Sequence, residues 1–473
     1  MRNQITQEDN NYIRKKNRTT IKYALIIILT IFSSCREFLN IDLPKTVLSS
    51  KAVFTNDDSA TAALTNIYAR MGNGLSYVSG GRESLSLLAG LSSDEFINYS
   101  PALIEFYENQ IDPINVTLRG LYSVPYNNIF GANSVLEGLL TSEKITPAIK
   151  SQLQGEAYFI RAFAYFYLVN FFGPVPLQLT TDYRITRVLN RASQEEIYQQ
   201  IIDDLKNAEI LLSETYPSAG RVRPNRAVAQ ALLSRVYLYM EDWKNAEKYS
   251  SMVISRSSTY SLSSLDNIFL ASSSEAIWQL FPAPNSNIDQ NGNLLVLTAT
   301  PTLVALREAF VLNAFEANDK RKTSWIKSYT NTTGTYYYPF KYKLKGSTSV
   351  TEYSLLFRLT EQFLIRAEAR AQQDNIGDAI DDLDKIRNRA GLKLIKTSNP
   401  NINKTDLLES IQKERRVELF CEYGHRWFDL KRTGKANLVL APLKLQWQET
   451  DVLYPIPYDE TSRNPNVKQN EGY

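Results

Sequence analysis

A chain of 473 residues is long enough for one large domain or a few smaller ones, and it can bury a core without disulfide staples. Apolar residues make up 43% and charged residues 22%, a globular balance that excludes a disordered chain and a multi-spanning membrane protein. The net charge of +3 comes from residues 1–34, which hold six basic groups against two acids; the remainder is almost neutral and has no basic stripe with interleaved aromatics, so no nucleic-acid partner is expected.

In chain order, the first element is an apolar run of ten residues, 23–32, behind a basic segment that ends at Lys22. Ten residues at ~1.5 Å each reach about half of a ~30 Å hydrocarbon core. The run therefore predicts a secretion signal over 1–34 and not a membrane span. Ser33, Ser34 and Cys35 follow it, and "FSSC" resembles the lipobox of bacterial lipoproteins, with Phe32 where Leu is usual. That resemblance implies acylation of Cys35 and a lipidated tether over 35–50. Each buried CH₂ of the acyl chains adds ~0.8 kcal/mol of membrane affinity, so two or three chains anchor a water-borne body. The plainer alternative is a secretory signal with Cys35 incidental, which explains less in a chain with only two cysteines. With Cys35 blocked, Cys421 is the only thiol left and no intramolecular disulfide can form.

Helical periodicity dominates the rest. Residues 151–173, 226–254 and 360–391 carry apolar side chains at three- and four-residue spacing, and each reads as a helix hairpin. In the second, Leu233, Tyr237, Trp243 and Ala246 stand at the offsets of a tetratricopeptide unit, where a small Ala lets antiparallel helices approach closely. "FIRA" at 159, "LSRV" at 233 and "LIRA" at 364 are expected to begin corresponding helices. Their spacing is far from a uniform repeat of ~34 residues, so the hairpins are embedded among insertions and not stacked as a free solenoid. Residues 72–125 and 256–354 are rich in Ser, Asn, Gly and Tyr. Short alternating stretches there, "EAIWQLF" and "TYYYPFKYKLK", predict strands of a small sheet. The expected fold is mainly α, one large body of tetratricopeptide-like hairpins with long loop and small-strand insertions.

The C-terminal third carries the most specific pattern. "IQKERRVELFCEYGHRWFDLKRTGKA" (411–436) resembles the helical signature of the RagB/SusD family of surface lipoproteins, and "LYPIPYDETSRNPNVKQNEGY" (453–473) resembles its closing segment. "CREFLNIDLP" after the lipobox, "SSDEF" at 92 and "YNNIFGANSVLEGL" at 126 follow in the family's order, so the resemblance covers nearly the whole mature chain. It divides the body into a SusD-like N-terminal part, 51–255, and a RagB/SusD C-terminal part, 256–473. It implies a lipid-anchored protein on the external face of the outer membrane that binds a glycan, or a peptide, and covers a SusC-like TonB-dependent transporter without itself cutting or transporting. No cofactor or metal is expected.

The residues themselves point the same way. One histidine, His425, and two cysteines cannot build the usual zinc sphere. His425 lies in a helical stretch with apolar neighbours, where a packed, hydrogen-bonded role outweighs that of a general base. Glu414 and Glu418, four apart, are the tempting pair for glycoside hydrolysis, but Arg415 and Arg416 beside them suggest a structural ion-pair network. Sugars offer a C–H face and a hydroxyl edge, so recognition calls for exposed aromatic platforms with amide, carboxylate or guanidinium groups at the rim. The N-terminal insertion supplies the candidates Tyr77, Arg82, Asp94, Asn98, Tyr99 and Tyr107. The competing reading has the tyrosines covering a core that includes Phe96 and Phe106.

Overall fold

The computed structural model describes residues 53–73, 76–282, 290–346 and 350–473. The expected signal over 1–34, Cys35 and the tether over 35–50 lie outside the described residues. Phe54–Tyr473 form one unit.

Eleven helices of eight residues or more organise the described residues. They are α1 (Asp57–Met71), α2 (Leu85–Ser92), α3 (Val116–Thr141), α4 (Pro147–Phe172), α5 (Gln194–Leu211), α6 (Arg226–Tyr239), α7 (Trp243–Ile254), α8 (Leu359–Gln372), α9 (Ile376–Ala390), α10 (Lys404–Glu418) and α11 (His425–Arg432). From α3 to α9 each helix packs on the next in sequence. The mainly α, tetratricopeptide-like architecture is as expected. Residues 226–254 and 360–391 are hairpins, but 151–173 belongs to the single helix α4, which pairs with α3 before it and α5 after it. Ala246 is fully buried at the α6/α7 contact, and Tyr237 stacks on Tyr249 with centroids 5.6 Å apart.

"FIRA", "LSRV" and "LIRA" do not begin helices; they sit in the middle of α4, α6 and α8. Their positions nonetheless mark a repeated contact. Arg161 reaches Asp204 of α5 with two bonds of 2.8 and 2.6 Å. Arg235 reaches Glu361 of α8 at 2.7 and 2.6 Å, and Arg366 reaches Asp382 of α9 at 2.8 and 2.7 Å. In each, a guanidinium fork meets a carboxylate on another helix, the strongest geometry for such a pair.

The strands form four separate two-stranded antiparallel ladders among the described residues, not one small sheet. β1 (Phe96–Asn98) pairs with β3 (Val304–Leu306); β2 (Ala276–Leu280) pairs with β6 (Ser354–Arg358); β4 (Ile326–Asn331) and β5 (Gly334–Pro339) form a hairpin; Val175–Pro176 meets Arg191–Ala192. β2 carries Trp278 into the core, where its ring meets Phe159, Phe163 and Phe357 at 4.9, 5.0 and 5.6 Å. Aromatic edges on faces at these distances add to the area they bury.

A buried ionic network joins the C-terminal signature to the second insertion, to β6 and to α9. Glu418 is fully buried and accepts from Arg321 at 2.9 Å, Arg358 at 2.7 Å and Arg389 at 2.5 Å. Arg321 also holds Asp319 and Glu414, Arg387 holds Glu414 and Glu316, and Arg358 and Lys341 share Glu422. Glu414 and Glu418 are thus structural, as expected, although their partners are arginines distant in sequence and not Arg415 and Arg416. Burial opposes the charge on Glu418, but Arg389, Arg358 and Arg321 more than offset it and hold the carboxyl far below its usual range. Removing one member of such a cluster strands the others in the interior, a cost of ~3–5 kcal/mol. Glu418→Ala is expected to lose about that much stability in urea unfolding, and a loss under ~1 kcal/mol would show that the arginines re-pair without it.

Candidate functional site

The candidate surface grows from residues 94–109. Ser92 ends α2, and the chain then enters β1, whose register is Phe96↔Leu306 and Asn98↔Val304. The Tyr99 amide extends the ladder by donating to the Leu303 carbonyl at 2.8 Å. Asn98 closes a turn on itself, accepting from the Ser100 amide at 3.0 Å and donating to the Ser100 carbonyl at 2.9 Å. Pro101 starts a single 3₁₀ turn and a short helix, Ile104–Glu108, which ends at Asn109 in the left-handed conformation. Lys444 fixes that end from below, donating to the carbonyls of Leu91 and Ser92 at 2.9 and 2.7 Å and to Asn109 Oδ1.

Two tyrosines come to the surface on this segment. Tyr99 is 41% exposed and meets Tyr336 of β5 edge to face, with centroids 5.8 Å apart. Tyr107 is half-buried, and Arg307, just after β3, donates to its hydroxyl at 3.4 Å with the guanidinium 5.9 Å from the ring. Burial, with Tyr336 and Tyr107 nearby, pushes the Tyr99 phenol up, so it stays a neutral donor. The β4–β5 turn is held by Asn331 Oδ1, which accepts from the Thr333 and Gly334 amides, while its Nδ2 donates to Thr300 Oγ1 at 2.7 Å. Thr333 and Tyr336 hydroxyls are 2.9 Å apart. The result is an aromatic platform of Tyr99, Tyr336 and Tyr107 with Arg307 beside it and small polar groups on the hairpin.

The other expected contact residues stand elsewhere. Tyr77 is a correction: at 1% exposure its ring lies against Phe163 and Tyr167, 6.4 and 6.1 Å away, because the insertion folds back onto α4. It is a core residue. Asp94 is also buried and presents no free carboxylate to a ligand. Arg426 grips both its oxygens at 2.7 and 3.0 Å, and Arg416 adds a third bond at 2.6 Å. Burial alone would raise the Asp94 carboxyl, but these arginines more than offset it and leave it below the usual range. Asn98 is half-buried and spent on its turn. Arg82 is exposed, and no contact among the described residues joins it to the tyrosines. Tyr336 and Arg307 escaped the sequence reading because the second insertion contributes them across some 200 residues of chain. The alternation in "TYYYPFKYKLK" was the available signal.

Asp94 and its neighbour Glu95 tie the platform to the C-terminal signature. Glu95 Oε1 accepts from the Cys421 amide at 2.9 Å, and its carbonyl accepts from the Arg307 amide at 2.8 Å. α11 begins at Gly424, with φ 79°, where a Cβ would lie 2.8 Å from the Phe428 ring and 3.0 Å from Ala89. Only glycine allows that turn to press on α2. His425 is buried among Glu361, Arg235, Arg415 and Asp429; burial pushes it down to about 4, so it is neutral at neutral pH and closed to substrate. Glu414 and Glu418, the pair weighed for hydrolysis, are equally enclosed. Among the described residues no group of three or more His, Cys, Asp or Glu is placed to hold a metal.

The chain is similar to known proteins along most of its length. A family model described as "Starch-binding associating with outer membrane", of the SusD-like type, matches residues 11–238, and a SusD family model matches 313–473. SusD-like protein P38 of Formosa agariphila is 24% identical, aligned over 98% of this chain and all of that protein. The starch-binding protein SusD of Bacteroides thetaiotaomicron is 33% identical over 25% of this chain and 21% of its own length. Among solved structures, a SusD superfamily protein from Bacteroides vulgatus superposes with a TM-score of 0.77 at 22% identity, covering 88% of this chain and 99% of that one. A laminarin binding SusD-like protein superposes with a TM-score of 0.75 at 24% identity, covering 89% of this chain and all of that one.

Glu95 provides a pH test of the tie. Burial, with the Asp94 charge beside it, pushes its carboxyl up to about 7 against the opposing Cys421 amide. A raised carboxyl weakens the native state as pH climbs from the unfolded value near 4.5 toward 7, and the penalty stays constant above. Glu95→Gln keeps an acceptor for Cys421 and removes the ionisation. It is expected to exceed the parent in stability by on the order of 2–3 kcal/mol at pH 8 and by nothing at pH 4.5; equal gains at both pH values would refute the assignment. The two model matches, the full-length relative and the shared architecture together place this chain in the SusD/RagB family.

Proposed function

We propose that this protein is a cell-surface lipoprotein, anchored to the outer membrane through Cys35, that binds a nutrient glycan on the Tyr99–Tyr336–Tyr107 platform and delivers it to a SusC-like TonB-dependent transporter. The observation that carries the reading is the platform itself: the exposed Tyr99 with the half-buried Tyr336 and Tyr107 beside it, a guanidinium at hydrogen-bonding range and neutral hydroxyls and amides around them. Such a surface suits the C–H faces and hydroxyl edges of a saccharide. Relatives support the ligand class, since one is described as starch-binding and a structural neighbour as laminarin binding. The role is binding and not catalysis: the paired acids of α10 are held by arginines in the interior, away from any substrate.

Affinity electrophoresis on a panel of neutral and acidic polysaccharides that includes starch and laminarin tests the ligand class. Tyr99→Ala combined with Tyr336→Ala is expected to weaken retardation of the bound polysaccharide ~10-fold or more, as loss of central aromatic contacts does. Unchanged retardation would remove the platform from the account, and binding of peptides alone would replace the glycan. Co-purification from native outer membranes in mild detergent through a tag after Tyr473 is expected to recover a TonB-dependent channel in stoichiometric amount. A monomer free of any channel would contradict the delivery role.

A further inference from the structure

A concave site lies on the C-terminal signature. A cleft of about 250 Å³ opens between α10, α11 and the short helix Ala436–Leu440. α10 contributes Glu409, Lys413 and Arg416 to it, at positions i, i+4 and i+7, and α11 contributes Arg426 and Asp429 at i and i+3, so each helix turns one face to the cleft. Lys435 closes the far side.

The charges of this wall do not balance. Asp429 is fully engaged, accepting from Arg415 at 2.9 Å and from Arg432 at 2.7 Å. Asp94 is a single carboxylate shared by Arg416 and Arg426. Among the described residues Lys413 and Lys435 stand in no ion pair, and Glu409 is the one wall acid not already held by an arginine. Four cations, Lys413, Arg416, Arg426 and Lys435, therefore meet two carboxylates, Glu409 and the shared Asp94. The guanidiniums also have donors to spare: Arg416 Nε and Nη1 and Arg426 Nη1 find no acceptor among the described residues, and the Arg416 side chain is 30% exposed. Burial, and then the neighbouring Arg426 charge, hold Arg416 below its ordinary value despite Asp94.

We propose that this cleft is an oxyanion subsite that takes the carboxylate of a single acidic saccharide unit. The fork of a guanidinium matches planar and tetrahedral oxyanions, and flanking lysines add point charge without fixing geometry. The volume falls below the ~300–1,000 Å³ of pockets that enclose drug-sized molecules, which suits one charged unit and not a length of chain. The saccharide part rests on the glycan-binding reading above; the oxyanion part does not. Asp94 connects the two sites, since the arginines that line the cleft are those that hold the segment bearing Tyr99 and Tyr107.

The test is calorimetric titration of the full mature chain, in detergent at fixed ionic strength, with D-glucuronate, sodium sulfate and D-glucose. It is repeated on Lys413→Gln combined with Lys435→Gln, surface changes that leave the Asp94 clamp intact. Saturable glucuronate binding, absent for glucose and weakened ~10-fold or more in the double variant, is the expected result. No saturable binding of either anion, or binding that the double variant leaves unchanged, would overturn the proposal. Sulfate binding without glucuronate binding would overturn the saccharide assignment and leave a free-anion site. Glucuronate binding here with no polysaccharide held by the tyrosine platform would support the cleft and contradict the platform.

Discussion

The buried carboxylate of Glu418 sets the terms for the rest of the molecule. A bare charge at that depth is untenable, and its three arginines come from separate parts of the chain: Arg321 from the second insertion, Arg358 from the end of β6 and Arg389 from the end of α9. Each arginine in turn requires further acids, among them Asp319, Glu414, Glu422 and Glu275. The network is satisfied only when insertion, strand and helices are all in place. Its contribution is therefore less to net stability, where buried pairs roughly break even, than to there being one arrangement that satisfies every member.

That constraint explains how a binding surface can be built from distant loops. Tyr99 and Tyr107 arrive on the first insertion, Tyr336 and Arg307 on the second. The first is pinned to α10 and α11 through Asp94 and to the following turn through Glu95. The second is pinned through Arg321 and Lys341, whose ammonium donates to the carbonyls of Glu418 and Phe420 at 2.8 and 2.9 Å. Both insertions are thus referenced to the same short stretch of sequence, 414–426. A platform whose parts share one anchor keeps its ring-to-ring geometry, which is what preorganised recognition needs.

The helical frame was legible in the sequence because 3.6-residue periodicity is local: the hairpins at 226–254 and 360–391 and the close-packed Ala246 follow from spacing alone. The pairing of α4 with α3 was not, since the apolar pattern of 116–141 is interrupted by Pro125 and polar residues. The role of the Glu414–Glu418 pair was read correctly in kind and incorrectly in partners, because sequence neighbours on a helix do not reveal which arginine folds in from ninety residues away. Tyr77 and Asp94 were misplaced for a related reason. A tyrosine or an aspartate in a polar loop reads as exposed, and only tertiary structure shows that the loop lies down on α4 or that two arginines are waiting beneath it. Phe96 and Phe106 take the inward positions, which leaves Tyr99 exposed and Tyr107 half-buried.

The central claim is that one surface, assembled from both insertions on this anchored frame, holds the glycan. Hydrogen–deuterium exchange with and without a saturating polysaccharide from the binding panel tests it most directly. The account predicts slowed exchange in residues 96–109 and in the 326–339 hairpin together, with the buried helices α8 and α9 unchanged. Slowing confined to other surfaces, or to one insertion without the other, would contradict it.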